Sequence, residues 1–190
     1  MASAARSLEP FVFTVAQYHA MRDAAILGED DHVELLDGIL VPKRTKKPPH
    51  RLVTGLVRAA LERLVPEGYH VDSQEPVTTE GSEPEPDVCF VRGDRRDYAD
   101  RHPGPADVPL VVEVADDSLS RDKGIKLPLY ARAGIAQSWI VDVQARVIET
   151  YCDPQGETYA TSRIVGETET LEVELDGTRI GQLAVGSLLP

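Results

Sequence analysis

Two acidic residues stand in segments whose other residues are apolar. Asp87 follows Pro86 where a strand is expected to begin, and Glu113 interrupts the run Leu110–Ala115. A carboxylate inside a strand that is buried on both faces is costly unless it is paired or binds a cation. Mg²⁺ takes oxygen ligands and is usually held by one or two carboxylates. The pair therefore predicts a Mg²⁺ site, also open to Mn²⁺, to which the main-chain carbonyl of Val114 could add a ligand.

Basic residues follow this run at the expected start of a helix. Lys126 and Tyr130 share one helix face because they are four residues apart. A lysine close to a metal-bound water and a scissile phosphate could orient or help deprotonate the water and offset charge in the transition state. Lys123 lies three residues earlier and is the alternative catalytic lysine. Either lysine could instead be an ordinary exposed residue of the helix with no catalytic role.

Each of the acids also has a purely structural interpretation. Asp87 could cap a turn after proline, and Glu113 could form a buried ion pair with an arginine. Glu34, beside a hairpin turn, could make a surface salt bridge, orient Lys126 or hold a second metal. We interpret His50, which follows two prolines, as a capping or packing residue rather than a catalyst.

The composition restricts the class of protein. A length of 190 residues is typical of one domain, predicted over 13–190 after a loose tail at 1–12. The net charge of −12 opposes a general affinity for nucleic acid, which normally needs a cationic surface. Positive charge is nevertheless concentrated locally, either as a solvated face or as a surface for DNA, in the residues Lys43, Arg44, Lys46, Lys47, Arg51, Arg58 and Arg63.

Other patterns exclude further kinds of site. The amino terminus has no apolar leader region and no segment is long and apolar enough to span a membrane, so we expect a cytoplasmic protein without a membrane partner. Cys89 and Cys152 have no CxxC or histidine spacing and are expected to be free buried thiols. No ligand spacing connects the remaining histidines, which are His19, His32, His70 and His102.

The first half of the chain predicts helices and a hairpin before the sheet. Thr14 and Gln17 form a capping-box pattern ahead of a helix over 14–27, and Asp37-Gly38 predicts a two-residue hairpin turn. A second helix is predicted over 50–65. Strands are predicted at 69–74, 76–79, 87–92 and 108–115.

The second half predicts a crossover and then an antiparallel edge. A helix begins at Ser120 or Asp122, ends at Gly134 and leads into a strand at 138–142. Antiparallel strands at the edge of the same sheet are predicted at 146–151, 158–164 and 170–175, with a break at Asp153-Pro154. An exposed edge of this length favours pairing with a second copy, so we expect a homodimer.

The order of these motifs resembles a known superfamily. Pro86-Asp87, Glu113-Val114-Ala115 and Lys126 resemble the PD-(D/E)xK pattern of restriction-endonuclease-like proteins, although the usual lysine position holds Ala115. More narrowly, residues 12–152 resemble the Uma-type family of restriction endonucleases, in which the lysine stands on the helix. The motifs are Glu34-Leu35-Leu36-Asp37-Gly38, His50, Pro84-Glu85-Pro86-Asp87, Val111-Val112-Glu113-Val114, Asp122-x-x-x-Lys126-x-x-x-Tyr130-x-x-x-Gly134 and Trp139-Ile140-Val141-Asp142.

The resemblance implies an α/β fold, a mixed sheet flanked by helices, and an active site at Glu34, Asp87, Glu113 and Lys126. It also implies a divalent metal and hydrolysis of phosphodiester bonds in DNA by a metal-activated water. Two alternatives are a catalytically silent binding or assembly module with the same fold, and a hydrolase of small phosphate esters. Departures from the family pattern, at 115–118 and 137–138, affect loops rather than the expected ligands.

Overall fold

The structure is a computed structural model that describes residues 10–28, 30–43 and 45–190. The first nine residues of the predicted tail lie outside the described residues, and 10–12 form no helix or strand. The amino-terminal elements are helix α1 (Val15–Asp23), strands β1 (Val33–Leu36) and β2 (Ile39–Pro42), and helix α2 (Pro48–Glu62).

Helix α1 has the predicted capping box but is shorter than predicted. The Thr14 side chain accepts a hydrogen bond from the main-chain N–H of Gln17, whose side chain accepts one from the N–H of Thr14. The helix ends at Asp23 rather than at 27, because Ala25 adopts a left-handed φ of 53° and the N–H of Ile26 donates to the carbonyl of Met21. This pairing satisfies the last carbonyls and turns the chain away from the helix axis.

The β1–β2 hairpin and its turn are confirmed. Asp37 and Gly38 have φ values of 48° and 74°, and Leu36 pairs with Ile39, as a type I′ turn requires. A Cβ atom at residue 38 would lie 2.7 Å from Cβ of Val12 and 2.9 Å from the carbonyl oxygen of Phe13. Both the backbone conformation and the close contact therefore require glycine.

Helix α2 begins two residues before the predicted start and ends at Glu62, not 65. The Pro48-Pro49 pair indicates the end of the preceding segment, but in the structure these two prolines form the first turn of the helix. Proline suits that position because the first N–H groups of a helix have no intrahelical partner. The buried stripe of the helix is Val53, Thr54, Val57, Ala60 and Leu61.

A six-stranded mixed sheet forms the centre of the protein. Its strands, in spatial order, are β3 (Tyr69–Asp72), β4 (Val88–Arg92), β5 (Leu110–Ala115), β6 (Gln137–Asp142), β7 (Val147–Gln155) and β8 (Thr158–Gly166). The pair β5–β6 is parallel and the other pairs are antiparallel. The strand predicted at 76–79 is wrong: the segment has only an isolated bridge between Thr79 and Ser82, since Pro76 and Pro84 offer no N–H for a ladder.

The predicted crossover between β5 and β6 is confirmed, but its helix is irregular. It consists of α3 (Leu119–Arg121), a π-helical turn (Asp122–Lys126) and α4 (Leu127–Arg132). The helix begins before both predicted caps, and Gly134 ends it with a φ of 80°, as predicted. Short π-helical turns are frequently found at functional sites.

The carboxyl-terminal strands are antiparallel, but they do not all belong to one sheet. β9 (Thr170–Leu175) pairs with the unpredicted β10 (Thr178–Ala184) in a separate hairpin. This corrects the prediction that 170–175 extends the main sheet. The expected break at Asp153-Pro154 does not end β7: Asp153 takes a φ of 61°, but the register with β8 is unchanged and Pro154 pairs with Tyr159.

Two apolar cores cover the two faces of the sheet. One face packs against α2 and β9–β10, and the other against α4 and the β1–β2 hairpin. The predicted mixed sheet flanked by helices is therefore confirmed. Cys89 is buried and free, whereas Cys152 is free but only half-buried. Within the described residues, no helix is long and apolar enough to cross a membrane.

Candidate active site

The alternation of β5 decides where Glu113 lies. Val112 and Val114 belong to the core beneath α2, so Val111 and Glu113 lie on the opposite face, beneath α4. Because β5 is buried along its whole length, Glu113 is only 4% exposed. A residue in this position can be stabilised only by groups that α4 and the neighbouring loops provide.

Two side chains of the crossover helix hold one oxygen of Glu113. Lys126 Nζ is 3.0 Å and Tyr130 Oη 2.5 Å from Oε1, and both donate to it. Oε2 accepts no hydrogen bond from the described part of the chain. Burial raises the pKa of Glu113 to about 8, against the lowering effect of Lys126. Oε2 is therefore the atom that a cation can bind without displacing a protein donor.

Lys126 lies among carboxylates and is 4% exposed. Its Nζ is 3.3 Å from Oε2 of Glu34 and 3.5 Å from the main-chain carbonyl of Glu85. Burial alone would lower the pKa of Lys126, but the charges of Glu113, Glu34 and Asp87 raise it above its ordinary value. The side chain remains a cation.

Asp87 is held just before β4 by three donors. Its Oδ2 accepts from the main-chain N–H of Val114 at 2.9 Å and lies 3.0 Å from Nε2 of His50, and Oδ1 accepts from Gln74 at 3.3 Å. Burial raises the pKa of Asp87, but His50, Lys126 and the Val114 N–H together bring it below its ordinary value. Asp87 is therefore ionised at neutral pH.

Glu34 connects the β1–β2 hairpin to the same cluster. It is 2% exposed, and its Oε1 accepts from Arg121 at 3.0 Å. Its Oε2 contacts Lys126 and accepts from the N–H of Glu85 at 3.4 Å. The structure thus places all four residues predicted for the active site around one point, and Lys126 connects two of the three acids directly.

Lys123, the alternative lysine, lies elsewhere. Its Nζ is 2.7 Å from Oε1 of Glu149 on β7, with 39% of its side chain exposed. Of the two lysines, only Lys126 contacts Glu113. For Val114 the structure shows the N–H bond to Asp87; the role of its carbonyl as a metal ligand stays a prediction.

The structure adds to the cluster two residues that the sequence analysis named but did not assign to the active site. Asp122 is 3% exposed and accepts a hydrogen bond from Ser118, and burial raises its pKa. His50 contacts Asp87 instead of capping α2, whose N-cap is Lys47. Burial lowers the pKa of His50, but the Asp87 hydrogen bond and charge raise it overall. Asp122 precedes Lys126 by one helical turn, and this spacing was the signal available for it.

The charges of the cluster favour a divalent cation. The cluster contains four buried carboxylates, from Glu34, Asp87, Glu113 and Asp122. Among the described residues, the permanent cations that form ion pairs with them are Lys126 and Arg121. Such an excess of buried negative charge requires protons or a metal. Carboxylate oxygens are the ligands that Mg²⁺ and Mn²⁺ prefer, so the donor set fits the predicted metal.

These groups line a cavity of about 80 Å³ whose mouth carries lysines. Lys43, Lys46 and Lys47 stand at its rim, and Lys43 pairs with Glu85 at 2.5 Å. Arg44, which belongs to the same predicted basic group, lies outside the described residues. Three of the predicted basic residues, Lys43, Lys46 and Lys47, therefore line the same cavity as the acidic residues, whereas Arg51, Arg58 and Arg63 do not.

Comparison with known families gives an independent result. The family model Uma2, described as "Putative restriction endonuclease", matches residues 15–184. The chain belongs to the Uma2 family. The match covers every element from α1 to β10 and all of the residues placed in the acidic cluster. The description of the family therefore supports a nuclease-like function for this Uma2 protein. No curated protein matches it.

A solved structure shares the fold of this Uma2 protein. It is described as the crystal structure of "a putative nuclease belonging to DUF820" from Anabaena variabilis. The TM-score is 0.71 at 13% sequence identity, and the match covers 93% of this chain and 97% of that chain. The predicted fold class is confirmed.

Proposed function

We propose that this Uma2 protein is a divalent-metal-dependent endonuclease that hydrolyses phosphodiester bonds in DNA. The observation that carries the proposal is the contact of Lys126 with Glu113 beside Asp87, at the base of a cavity with lysines at its mouth. A cation site and a fixed ammonium group next to it are what phosphate hydrolysis needs. Family membership supports the same conclusion.

Each residue then has a distinct role. Asp87, Oε2 of Glu113 and the carbonyl of Val114 would hold Mg²⁺ or Mn²⁺, and a bound ion would supply an activated water and neutralise charge on the phosphate. Lys126 stabilises negative charge that develops on the phosphate, and its Nζ is kept in place by Glu34. Tyr130 fixes Glu113 through Oε1.

DNA would approach through the basic rim. Lys46 is exposed, and Lys47 lies beside it at the start of α2 with a 2.7 Å ion pair to Asp117. Phosphate contacts from such lysines supply affinity without sequence information. The remaining acidic surface would keep the nucleic acid away from other faces of the protein.

Cleavage of plasmid and oligonucleotide DNA tests the proposal. With Mg²⁺ or Mn²⁺ we expect cutting that EDTA stops, and we expect none from Asp87→Asn or Glu113→Gln. The matched controls are Asp30→Asn and Glu80→Gln, which change exposed acids. Cutting that persists in Asp87→Asn would place the activity outside this cluster. Absence of both cutting and saturable metal binding would favour a silent binding module.

We also propose that the protein is a homodimer through β8. This nine-residue strand is an edge of the main sheet and carries Ile164, which is 65% exposed. Exposed apolar edge strands favour pairing with another strand. Light scattering at two concentrations should give twice the chain mass for the wild type and one chain mass for Ile164→Lys. A wild-type monomer at both concentrations would contradict this assignment.

We infer further that residues 13–190 fold as one domain, because both cores pack on the faces of a single sheet. Urea unfolding followed by tryptophan fluorescence and by far-UV circular dichroism should give coincident transitions. Separate transitions would divide the chain into more than one unit.

A further inference from the structure

Two histidines and a glutamate that are distant in sequence meet away from the acidic cluster. They are His19 on α1, Glu83 in the segment before β4, and His102 in the segment before β5. One ligand atom of each lies within 4.8 Å of the other two. His19 Nε2 is 2.7 Å from Oε2 of Glu83, and the two imidazole rings have centroids 6.2 Å apart. We propose that these three residues form a second metal site, one that binds Zn²⁺.

Glu83 is the fixed member of this group. It is 5% exposed, its N–H donates to the carbonyl of Leu35 at 2.7 Å, and its Oε2 accepts from Thr78 at 2.7 Å. Oε1 accepts no hydrogen bond from any residue the structure describes. The protein thus orients the carboxylate and leaves Oε1 without a hydrogen-bond donor, so that this oxygen can bind a metal.

The charge of Glu83 has no permanent counterion among the described residues. Its ion-pair partner is His19, which is charged only when protonated. The cations of the surrounding cavity have other partners: Lys43 pairs with Glu85, Arg101 with Asp107, and Arg22 donates to Tyr18 and to main-chain carbonyls. A buried carboxylate needs compensation, and a metal ion bound with neutral imidazoles would supply it.

The donor set selects the class of metal. Two imidazole nitrogens and one carboxylate suit Zn²⁺ and other late first-row metals, whereas Mg²⁺ prefers oxygen ligands alone. Bonds of about 2.0–2.1 Å in a tetrahedral site place ligand atoms about 3.4 Å apart. The His19–Glu83 pair must therefore open from 2.7 Å, and any ligand atoms farther apart, up to 4.8 Å, must move closer together. Both movements are feasible because His102 is exposed and 44% of the His19 side chain is exposed.

Metal binding here would connect three segments that meet near the candidate active site. Glu83 lies two residues before Glu85, whose N–H contacts Glu34 and whose carbonyl contacts Lys126. None of the three proposed ligands lines the acidic cavity. The bound metal therefore stabilises α1 and the backbone beside Lys126 without entering the chemistry.

Titration of the full chain with Co²⁺ as a spectroscopic probe, followed by displacement with Zn²⁺, tests this site. Any affinity tag is first cleaved off and bound metal is removed with chelator. Excess Mg²⁺ is then added to occupy the acidic cluster. We expect one equivalent of Co²⁺ with visible d–d absorption, which Zn²⁺ removes. His19→Ala, His102→Ala and Glu83→Gln should each weaken binding at least about 10-fold.

His32→Ala is the matched control, because His32 is exposed and belongs to no such group. It should bind like the wild type, and Zn²⁺ should raise the melting temperature of both but not that of the three ligand variants. If an alanine variant loses its circular dichroism signal, the nearly isosteric Glu83→Gln separates loss of a ligand from loss of folding. Wild-type affinity in the ligand variants, or no stoichiometric binding by the wild type, would overturn the proposal.

Discussion

Lys126 Nζ lies 3.0 Å from Oε1 of Glu113, although the lysine follows the glutamate by 13 residues. In the PD-(D/E)xK pattern the lysine would stand two residues after the glutamate, on the same strand, where this chain has Ala115. The π-helical turn at Asp122–Lys126 brings the ammonium group to the carboxylate from the crossover helix instead. The proposed chemistry therefore depends on how this helix packs against β5.

Replacement of Lys126 should affect both stability and cleavage. Lys126→Met leaves the buried Glu113 without its cation and Glu34 with Arg121 alone, so we expect a loss of roughly 3–5 kcal/mol in the free energy of unfolding and loss of DNA cleavage. Lys123→Met, which removes a partly exposed pair, should cost less than about 1 kcal/mol and leave cleavage intact. Urea unfolding and plasmid cleavage measure the two effects. A larger loss of cleavage in Lys123→Met would reverse the assignment.

The raised pKa of Glu113 predicts how stability depends on pH without metal. Folding raises this pKa from 4.5 to about 8, so the folded state keeps a proton that the unfolded state releases. The contribution of Glu113 to stability is therefore present below pH 4.5 and is lost as the pH rises through 8, by at most about 1.4 kcal/mol per pH unit. Urea midpoints in EDTA should show a smaller fall across this window for Glu113→Gln than for Glu80→Gln. Equal slopes would contradict the prediction.

The same group predicts that metal binding releases protons. A carboxylate must be ionised to bind Mg²⁺, and at pH 7 Glu113 is largely protonated in the metal-free protein. Calorimetric titration in two buffers with different ionisation enthalpies should therefore show release of up to one proton at pH 7 and almost none at pH 9.5. Glu113→Gln should show little or no saturable heat. A buffer-independent enthalpy at pH 7 would exclude this coupling.

His50 should control the acidic limit of activity through Asp87. Loss of the His50 hydrogen bond raises the pKa of Asp87, so His50→Ala should move the acidic limb of the cleavage profile to higher pH. His50→Gln keeps an N–H donor and should restore part of the shift. The control is His32→Ala, since His32 is exposed and its side chain does not line the acidic cavity. An unchanged profile in His50→Ala would limit His50 to packing.

The basic rim predicts a specific salt dependence of DNA binding. Lys46→Ala, combined with Asp87→Asn to prevent cleavage, should reduce the salt slope of log affinity by about 1 while weakening binding to all sequences alike. Arg58→Ala serves as control because Arg58 lies farther along α2 and pairs with Glu62 at 2.9 Å. Fluorescence anisotropy over a range of salt concentrations measures both slopes. A larger change for Arg58 would place the DNA on the other part of α2.

Local patterns were sufficient to predict several elements of this fold. The Asp37-Gly38 turn, the Thr14 capping box and Gly134 at the end of the crossover helix depend on neighbouring residues alone, and all three are present. The apolar run around Glu113 predicted a strand buried on both faces for the same reason. Boundaries were less certain: Ala25 ends α1 early because carbonyl pairing at the helix end outweighs the apolar spacing that reaches Ile26.

The sequence by itself determined the family, the strand that carries Glu113 and the unusual chemistry of an acid within it. The tertiary structure alone decided that Lys126 rather than Lys123 contacts Glu113, that His50 contacts Asp87, and that His19 meets His102. It also decided that β9 pairs with β10 in a separate hairpin rather than with the main sheet. The physical reason is that turns and strands arise from interactions over a few residues. Pairings between distant segments are chosen by how the elements pack and how buried charges are balanced.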